Sequence, residues 1–336
     1  MLCLGIESTA HTFGVGFVRS RNGAYDILGG HKEMYVPPKG SGIHPREAAA
    51  HHADVCDEVL QTALAKAGVR LEDVNVIAFS QGPGLPPCLR VGATFARALA
   101  ARLDVPLAGV NHCIAHIEVG KLTTGVRDPL IVYVSGGNTQ IIAYAEGRYR
   151  IFGETEDIAI GNALDTFARA AGLQEPGGPK IEALAKNGHY VELPYVVKGM
   201  DLSFTGLITE ATKRLKRGAS LEDICFSLQE TCFAMLTEVT ERALAHTGKR
   251  DVLLTGGVAA NGRLAEMLDT MCRERGARSY VVDRTYAGDN GTMIAYAGLL
   301  AHEAGALLMP QQSKIIQLWR TDDVECGWLS TAQEQH

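Results

Sequence analysis

Apolar and polar residues are distributed along the chain in the manner of strands joined by helices. Short apolar runs that end at polar or glycine-rich turns predict strands, and longer stretches with apolar residues at helical spacing predict helices. In the first part of the chain these elements are strands over 2–6, 13–18 and 27–35, a helix over 46–67, a strand over 74–80, a helix over 91–102 and a strand over 107–110. A further helix is predicted directly after residue 110.

The same order of elements then begins again. The second part predicts strands over 130–134, 140–144 and 148–152, helices over 162–171, 180–187, 207–217 and 221–247, a strand over 252–254, a helix ending near 275, a strand over 280–282 and a last helix ending near 304. Strands that alternate with helices indicate an α/β fold with both faces of each sheet covered. We therefore expect two duplicated lobes around a nucleotide-binding cleft, although only the element order repeats.

The two predicted lobes meet near residue 128. We expect an N-terminal lobe over 1–128, a C-terminal lobe over 129–325 with a helical insertion at about 160–250, and a tail over 326–336. The sequence leaves open whether the final helix packs on the second lobe or back on the first, because the duplication is weak.

The amino-acid composition indicates a globular protein and argues against a membrane protein. Of the 336 residues, 46% are hydrophobic and 21% charged, which is typical of a globular enzyme, and no apolar stretch is long enough to cross a membrane. The N-terminus predicts a strand rather than a signal peptide. Eight cysteines without a C-x-x-C pair predict a reduced, cytoplasmic protein without disulfides. The net charge of −6 means that a nucleic-acid partner would require a local basic patch or helper subunits.

The segment His112-Cys-Ile-Ala-His116 is the strongest single sign of chemistry in the chain. Two histidines four residues apart lie on one face of a helix, which is a common way to present two nitrogen ligands to one metal. Surface histidines at this spacing are also common, so the motif alone leaves both interpretations open. Cys113 stands where a zinc peptidase of the H-E-x-x-H type has its glutamate, which argues against that activity.

A metal site requires further ligands. Asp289, in Gly288-Asp-Asn-Gly291 before the last predicted helix, is the best candidate, although an aspartate there could simply be the N-cap of that helix. Tyr133 is a second candidate, and a phenolate ligand would suit Fe(III) better than Zn(II).

Three polar loops follow predicted strands in corresponding places, and each has features that suit phosphate binding. They are Glu7-Ser8-Thr9, Ser135-Gly136-Gly137-Asn138-Thr139 and Thr255-Gly256-Gly257. Glycine allows backbone N–H groups to approach an anion, and a following helix adds its dipole. Asp165 and Glu182 could bind ribose hydroxyls, although each could also be an acidic residue that only stabilises a helix, and without other evidence the second interpretation is favoured.

Five longer motifs carry a resemblance to a known family. They are Asn111-His112-x-x-x-His116, Tyr133-Val-Ser-Gly-Gly-Asn-Thr-Gln140, Asp201-Leu-Ser-Phe-Thr-Gly206, Thr255-Gly-Gly-Val-Ala-Ala-Asn261 and Gly288-Asp-Asn-Gly291. In this order they resemble the tRNA N6-adenosine threonylcarbamoyltransferase family, over residues 4 to about 319. The tyrosine motif, with its Asn138, is similar to the archaeal and eukaryotic branch, which works within the KEOPS complex. Ala259-Ala260 departs from the Gly-Cys more usual in this branch.

The resemblance implies an actin/Hsp70/sugar-kinase-like (ASKHA) fold with two RNase-H-like lobes. It implies an acyltransferase that moves a threonylcarbamoyl group from threonylcarbamoyl-AMP to N6 of adenosine 37 in tRNAs reading ANN codons. One metal ion per subunit, iron in preference to zinc, is then expected at His112, His116 and Asp289, with Tyr133 nearby or ligating. The residues expected to bind ATP, AMP or the adenylate are Tyr133, Val134, Ser135, Gly136, Gly137, Asp165, Gly178, Glu182 and Asn261.

The resemblance also implies partners. Besides tRNA, these are the KEOPS subunits: a small atypical kinase/ATPase and small dimerising and tRNA-binding subunits, with no membrane partner. A metal-dependent peptidase, a sugar or acetate kinase of the same fold, and an ATP-dependent scaffold remain as alternatives. Casein cleavage would favour the first and sugar phosphorylation the second.

Overall fold

The computed structural model describes residues 1–38, 41–174 and 176–329, so residues 330–336 of the expected tail lie outside the described residues. The chain forms two compact units. The first contains residues 1–119 and 146–149 together with the described residues from 288 onward, and the second contains 120–145 and 150–287.

The elements follow the alternating order of the apolar pattern. The strands are β1 (Leu2–Glu7), β2 (Thr12–Arg21), β3 (Ala24–Met34), β4 (Val76–Gly82), β5 (Leu107–Asn111), β6 (Leu130–Val134), β7 (Thr139–Ala145), β8 (Arg148–Glu154), β9 (Val197–Lys198), β10 (Asp201–Leu202), β11 (Asp251–Thr255) and β12 (Arg278–Val281). The helices are α1 (Pro45–Ala67), α2 (Pro86–Leu103), α3 (His112–Thr124), α4 (Ile160–Ala170), α5 (Gly177–Ala185), α6 (Thr205–Lys216), α7 (Leu221–Thr247), α8 (Gly262–Glu274), α9 (Arg284–Ala287) and α10 (Gly291–Glu303).

Each unit is built on a five-stranded sheet, and the two sheets have equivalent strand orders. The first runs β3-β2-β1-β4-β5 and the second β8-β7-β6-β11-β12. In each, the central strand pairs antiparallel with the strand that follows it in sequence and parallel with a later one. The duplicated α/β architecture predicted from the sequence is therefore confirmed.

Helices cover both faces of the first sheet. Leu4 and Ile6 of β1 join a core with Val59 of α1 and Ala93 of α2, whereas Gly5, on the opposite face of the strand, faces α10. Successive residues of a strand point to opposite sides, so this alternation places α10 across the sheet from α1 and α2. The final helix thus packs on the first sheet, an arrangement that the sequence left open.

The contact between α10 and the first sheet is made backbone to backbone. A Cβ atom added to Gly5 would lie 2.1 Å from the Ala295 nitrogen, and one added to Gly16 would lie 2.3 Å from the Thr292 nitrogen. A Cβ added to Gly291 would lie 2.3 Å from the Gly16 nitrogen. Only glycine fits at these positions, and the contact fixes where α10 begins.

Two differences from the predicted elements have local causes. Helix α2 begins at Pro86 rather than near residue 91, because two prolines occupy first-turn positions whose N–H groups would have no partner within the helix. The β9–β10 pair and the short helix α9 were not predicted, because elements of two to four residues have no measurable period. No described helix combines the length and apolar character that a membrane span requires.

Candidate metal centre and nucleotide-binding residues

The two histidines lie in the first turns of α3, directly after β5. The Asn111 side chain caps this helix: its Oδ1 accepts hydrogen bonds from the Cys113 and Ile114 amides at 2.9 and 3.2 Å. The imidazole rings of His112 and His116 have centroids 4.7 Å apart. The helix thus presents both rings on one side, as the spacing predicts.

Asp289 reaches the same point from the start of α10. The N-cap of α10 is Asn290, whose Oδ1 accepts from the Met293 amide at 2.9 Å, so capping does not occupy Asp289. The Asp289 carboxylate lies 3.2 Å from Nε2 of His116 and 3.5 Å from Nε2 of His112. The backbone oxygen of Asp289 accepts from Lys32 Nζ at 2.7 Å.

The donor atoms of these three residues fit one metal ion. They lie within 4.8 Å of one another and combine two imidazole nitrogens with one carboxylate oxygen, a donor set suited to iron or zinc. His116 is fully buried and His112 is 7% exposed, so neither is a surface histidine. The structure therefore favours the metal interpretation of the motif.

Glu7, at the end of β1, supports the centre in a way that sequence reasoning missed. Its fully buried carboxylate lies 2.9 Å from Nδ1 of His112 and also accepts from the Thr9 amide and hydroxyl at 2.6 and 2.5 Å. A carboxylate that accepts from Nδ1–H fixes the tautomer and leaves Nε2 for a metal. The Glu7-Ser8-Thr9 loop was expected to suit phosphate, and in the structure its Glu7 carboxylate contacts His112.

The pKa shifts of the three residues follow from this arrangement. Burial opposes charge on both rings, but at His112 the carboxylates of Glu7 and Asp289 outweigh it and raise the pKa to about 9. Burial prevails at His116 and lowers its pKa. Burial also opposes ionisation of Asp289, yet the two histidines hold the pKa of Asp289 far below its usual value. Because metal ligands must be deprotonated, metal binding is expected to release the His112 proton.

Replacing Glu7 should weaken the metal site without removing a ligand. We expect Glu7→Ala to raise the metal dissociation constant about 10- to 100-fold, the usual effect of losing an outer partner of a ligating histidine, and Glu7→Gln to have a smaller effect. Competition with a chromogenic chelator measures this constant. Glu58→Gln, at an exposed position of α1, is the control. Unchanged affinity in Glu7→Ala would show that Glu7 does not orient His112.

The predicted nucleotide-binding residues all belong to the second unit. Tyr133 and Val134 are buried at the end of β6, and the turn that follows is closed by Ser135, whose Oγ accepts from the Gly137 and Asn138 amides at 3.3 and 3.0 Å. A Cβ added to Gly136 or Gly137 would meet open space. Two amides of the turn thus already have an acceptor. The role of Tyr133 as a metal ligand stays a prediction.

Gly256 brings a second turn against the first. Its φ of 95° is in the left-handed region, and a Cβ there would lie 2.3 Å from the Val134 oxygen. Because β6 and β11 are parallel neighbours that pair Tyr133 with Thr255, both turns lie at the carboxyl edge of the sheet. Ligands bind at this edge in open α/β sheets.

The remaining predicted residues make hydrogen bonds at the starts of two helices: Asp165 bonds at the start of α5, and Glu182 and Asn261 bond at the start of α8. Asp165 Oδ1 accepts from the Gly177 amide at 2.7 Å, next to Gly178, and Glu182 Oε1 accepts from the Gly262 amide at 2.9 Å. Asn261 caps α8 through the Arg263 and Leu264 amides at 2.9 and 3.2 Å and donates to Gln229 Oε1 at 3.2 Å.

These hydrogen bonds bear on two expectations from the sequence, the role of Glu182 and the position of the phosphate. Glu182 lies beyond the first turn of its own helix α5, and its carboxylate accepts from the first amide of α8. The first amides of α8 are therefore bonded to Glu182 and Asn261, so a phosphate is expected at the preceding Thr255–Gly257 turn rather than at the helix end itself. The assignment of these residues to a nucleotide stays a prediction.

Comparisons with known proteins place these features in context. A family model described as tRNA N6-adenosine threonylcarbamoyltransferase matches residues 30–296, more than half of the chain. The chain is 54% identical to the tRNA N6-adenosine threonylcarbamoyltransferase of Methanopyrus kandleri, over 98% of this chain and 96% of that protein. It is 56% identical to a probable bifunctional tRNA threonylcarbamoyladenosine biosynthesis protein of Methanosarcina mazei, over 97% of this chain but only 59% of that protein.

Solved structures with the same fold are more distant in sequence. The HypF structure from T. kodakarensis is similar over 93% of this chain and 49% of its own, with a TM-score of 0.63 and 17% identity. The activator of the 2-hydroxyisocaproyl-CoA dehydratase from Clostridium difficile covers 91% of this chain and 97% of its own, with a TM-score of 0.53 and 15% identity. These similarities concern the fold alone and agree with the predicted ASKHA class.

Proposed function

The chain belongs to the tRNA N6-adenosine threonylcarbamoyltransferase family, and we propose that it transfers threonylcarbamoyl from threonylcarbamoyl-AMP to N6 of adenosine 37 in tRNAs reading ANN codons. The products are the modified nucleoside t6A and AMP. The main support for the proposal is that His112, His116 and Asp289, at the family's motif positions, converge into one donor group in which both histidines are buried. The presence of Cys113 rather than glutamate beside His112 disfavours the peptidase alternative.

We propose iron, with zinc as the alternative, as the metal of this centre. His112, His116 and Asp289 would hold it, and Tyr133 as a further ligand would favour Fe(III). A bound metal would supply Lewis-acid polarisation of the acyl oxygen. Glu7 orients His112, Asn111 sets the start of α3, and Lys32 holds the backbone of Asp289. These residues keep the donors in place.

The second unit is proposed to bind the AMP part of the donor. The turn after Tyr133 and the Thr255–Gly257 turn would surround the phosphate, whose negative charge increases as AMP departs. Asp165 and Glu182 would accept hydrogen bonds from the ribose, with Gly178 leaving room beside them and Asn261 fixing α8. The adenosine amine is a weak nucleophile, so holding it in line with the acyl carbon supplies much of the rate enhancement.

The ribose role of Glu182 gives a testable difference between two variants. We expect Glu182→Ala to raise KM for threonylcarbamoyl-AMP about tenfold with a smaller change in kcat, because one hydrogen bond to a charged group is lost. Glu182→Gln retains an acceptor and should lose less. Initial-rate kinetics measures both constants, with the exposed Glu192→Ala as control. An unchanged KM in Glu182→Ala would remove Glu182 from the donor site.

We propose that tRNA is bound together with partner subunits. The net charge of −6 is unfavourable for unaided phosphate contacts, so the KEOPS kinase/ATPase and the small dimerising and tRNA-binding subunits are expected to raise activity. Several relatives carry the word bifunctional in their names and extend well beyond this chain in length.

We also propose a cytoplasmic location, which is where these tRNAs function. The described cysteines form no disulfide, which is consistent with that location.

The proposal is tested by nucleoside mass spectrometry. The metal-loaded chain is incubated with threonylcarbamoyl-AMP and a tRNA reading an ANN codon, with and without partners. We expect t6A to form, more with partners, and none on the same tRNA carrying guanosine at position 37. Casein cleavage or sugar phosphorylation without t6A would contradict it.

A further inference from the structure

The segment after α10, residues 308–329, is a strap of loops and short helical turns that packs on the first unit. It begins with a bridge between Leu308 and Leu107 of β5. The Ile316 amide donates to the Gln81 backbone oxygen at 2.8 Å, and Gln81 Nε2 donates to the Lys314 oxygen at 2.6 Å. A Cβ added to Gly82 would lie 1.9 Å from the Ile316 oxygen. The strap is thus fitted tightly against the end of β4.

Helix α2 holds the first part of the strap. Arg97 Nε donates to the Ser313 hydroxyl and Arg97 Nη2 to the Ser313 backbone oxygen, both at 2.7 Å. Ser313 is fully buried. Two charge-assisted hydrogen bonds to one residue fix the position of the strap along the unit.

The strap then meets helix α3 on both sides of the metal ligands. Asn111 Nδ2, just before the helix, donates to the Trp319 backbone oxygen at 3.1 Å. Trp328 Nε1 donates to Glu118 Oε1 at 3.2 Å, and the Tyr149 hydroxyl donates to the same oxygen at 2.7 Å. Both ligands, at 112 and 116, therefore lie between two attachment points of the strap.

These attachments constrain the orientation of the helix. The Asn111 side chain joins two structures, because its Oδ1 caps α3 while its Nδ2 holds the strap. Glu118 is 2% exposed. Removing a hydrogen-bond donor from a buried carboxylate costs free energy, so the position of α3 in which Trp328 donates to Glu118 is favoured. Small displacements of a ligating helix alter metal geometry, since donor distances must be met within about 0.2 Å.

We propose that the strap is a structural part of the metal centre, and that Asn111, Glu118 and Trp328 are positioning residues that hold His112 and His116 in the ligating arrangement. The proposal rests on the proposed metal role of these histidines. It assigns to residues 308–329 a function for which neither their composition nor any motif gives a sign.

Two tryptophans of the strap provide a matched test. Trp328→Phe removes the donor to Glu118, whereas Trp319→Phe leaves the backbone oxygen that Asn111 contacts. We expect Trp328→Phe to raise the dissociation constant for zinc or ferrous ion about tenfold in chelator competition and to speed amide hydrogen exchange over residues 112–118. Trp319→Phe should change neither.

The variant Asn111→Ser separates the two roles of Asn111, which are to cap α3 and to donate to the strap. Serine caps helices well but is too short to replace the amide donor to Trp319, so a pure capping role predicts normal metal affinity. We expect weakened affinity and faster exchange in α3. Wild-type affinity and exchange in both Trp328→Phe and Asn111→Ser would overturn the strap proposal while leaving the metal centre intact. If the wild-type chain did not bind metal, both the strap proposal and the proposed function would be overturned.

Discussion

Replacing either His116 or Asp289 with alanine is expected to abolish specific metal binding and to reduce t6A formation at least about a hundredfold, because metal polarisation of an acyl group contributes several kcal/mol. Each residue supplies one of three donors within 4.8 Å of one another. Loss of one donor removes a third of this group, and metal sites in proteins usually need at least three side-chain ligands. Metal content by plasma mass spectrometry and t6A by nucleoside analysis measure the two effects separately.

The control for these variants is His189→Ala. The His189 side chain is 92% exposed and lies outside the donor group, so both metal content and transfer should stay at the wild-type level. Circular dichroism establishes that each variant folds. If folded His116→Ala and Asp289→Ala retained both properties, the metal role of this centre would be wrong.

Replacing Gly291 with alanine is expected to destabilise the protein by about 3 kcal/mol or more, at the upper end for overpacked sites, because backbone atoms cannot move aside as a flexible side chain can. The added Cβ would lie 2.3 Å from the Gly16 nitrogen and 2.7 Å from the Gly5 oxygen. The helix must then shift away from β1 and β2. Denaturant unfolding, followed by far-ultraviolet circular dichroism, measures the change in the free energy of unfolding.

The same shift should weaken the metal site, since Asp289 lies two residues before Gly291. We expect the folded fraction of Gly291→Ala to bind metal less tightly than the wild type. Gly42→Ala is the matched control in the same unit, because a Cβ there would meet open space and its backbone does not require glycine. Equal unfolding energies for the two variants would show that α10 can shift freely.

The fold could be predicted from the sequence because its elements are long and periodic. The run 130–134 and the helix 221–247 agree with the structure to the residue, since each has a clear apolar pattern and clear boundaries. The histidine pair could be predicted for the same reason: four residues along a helix is a local relation. Asp289 was predicted as a metal ligand from its motif. The sequence left open whether Asp289 caps α10, and the structure shows that Asn290 is the N-cap.

The parts that could not be predicted depend on distant residues. Glu7 and His112 are 105 residues apart, and Trp328 and Glu118 are 210 apart, so no local pattern relates them. One local contact was missed as well: the Ser135 turn was predicted by its glycines, but the hydrogen bonds from the Gly137 and Asn138 amides to the Ser135 hydroxyl were not. Local side-chain hydrogen bonds of this kind compete with other acceptors for the same backbone donors.

Titration of the metal-free chain with iron or zinc, followed by the initial rate of t6A formation in the presence of partner subunits, shows whether transfer depends on this metal centre. We expect a rate near zero without metal, a linear rise, and a plateau at one ion per chain, with no rise in His116→Ala. A metal-free chain that transfers threonylcarbamoyl at the full rate would contradict this expectation.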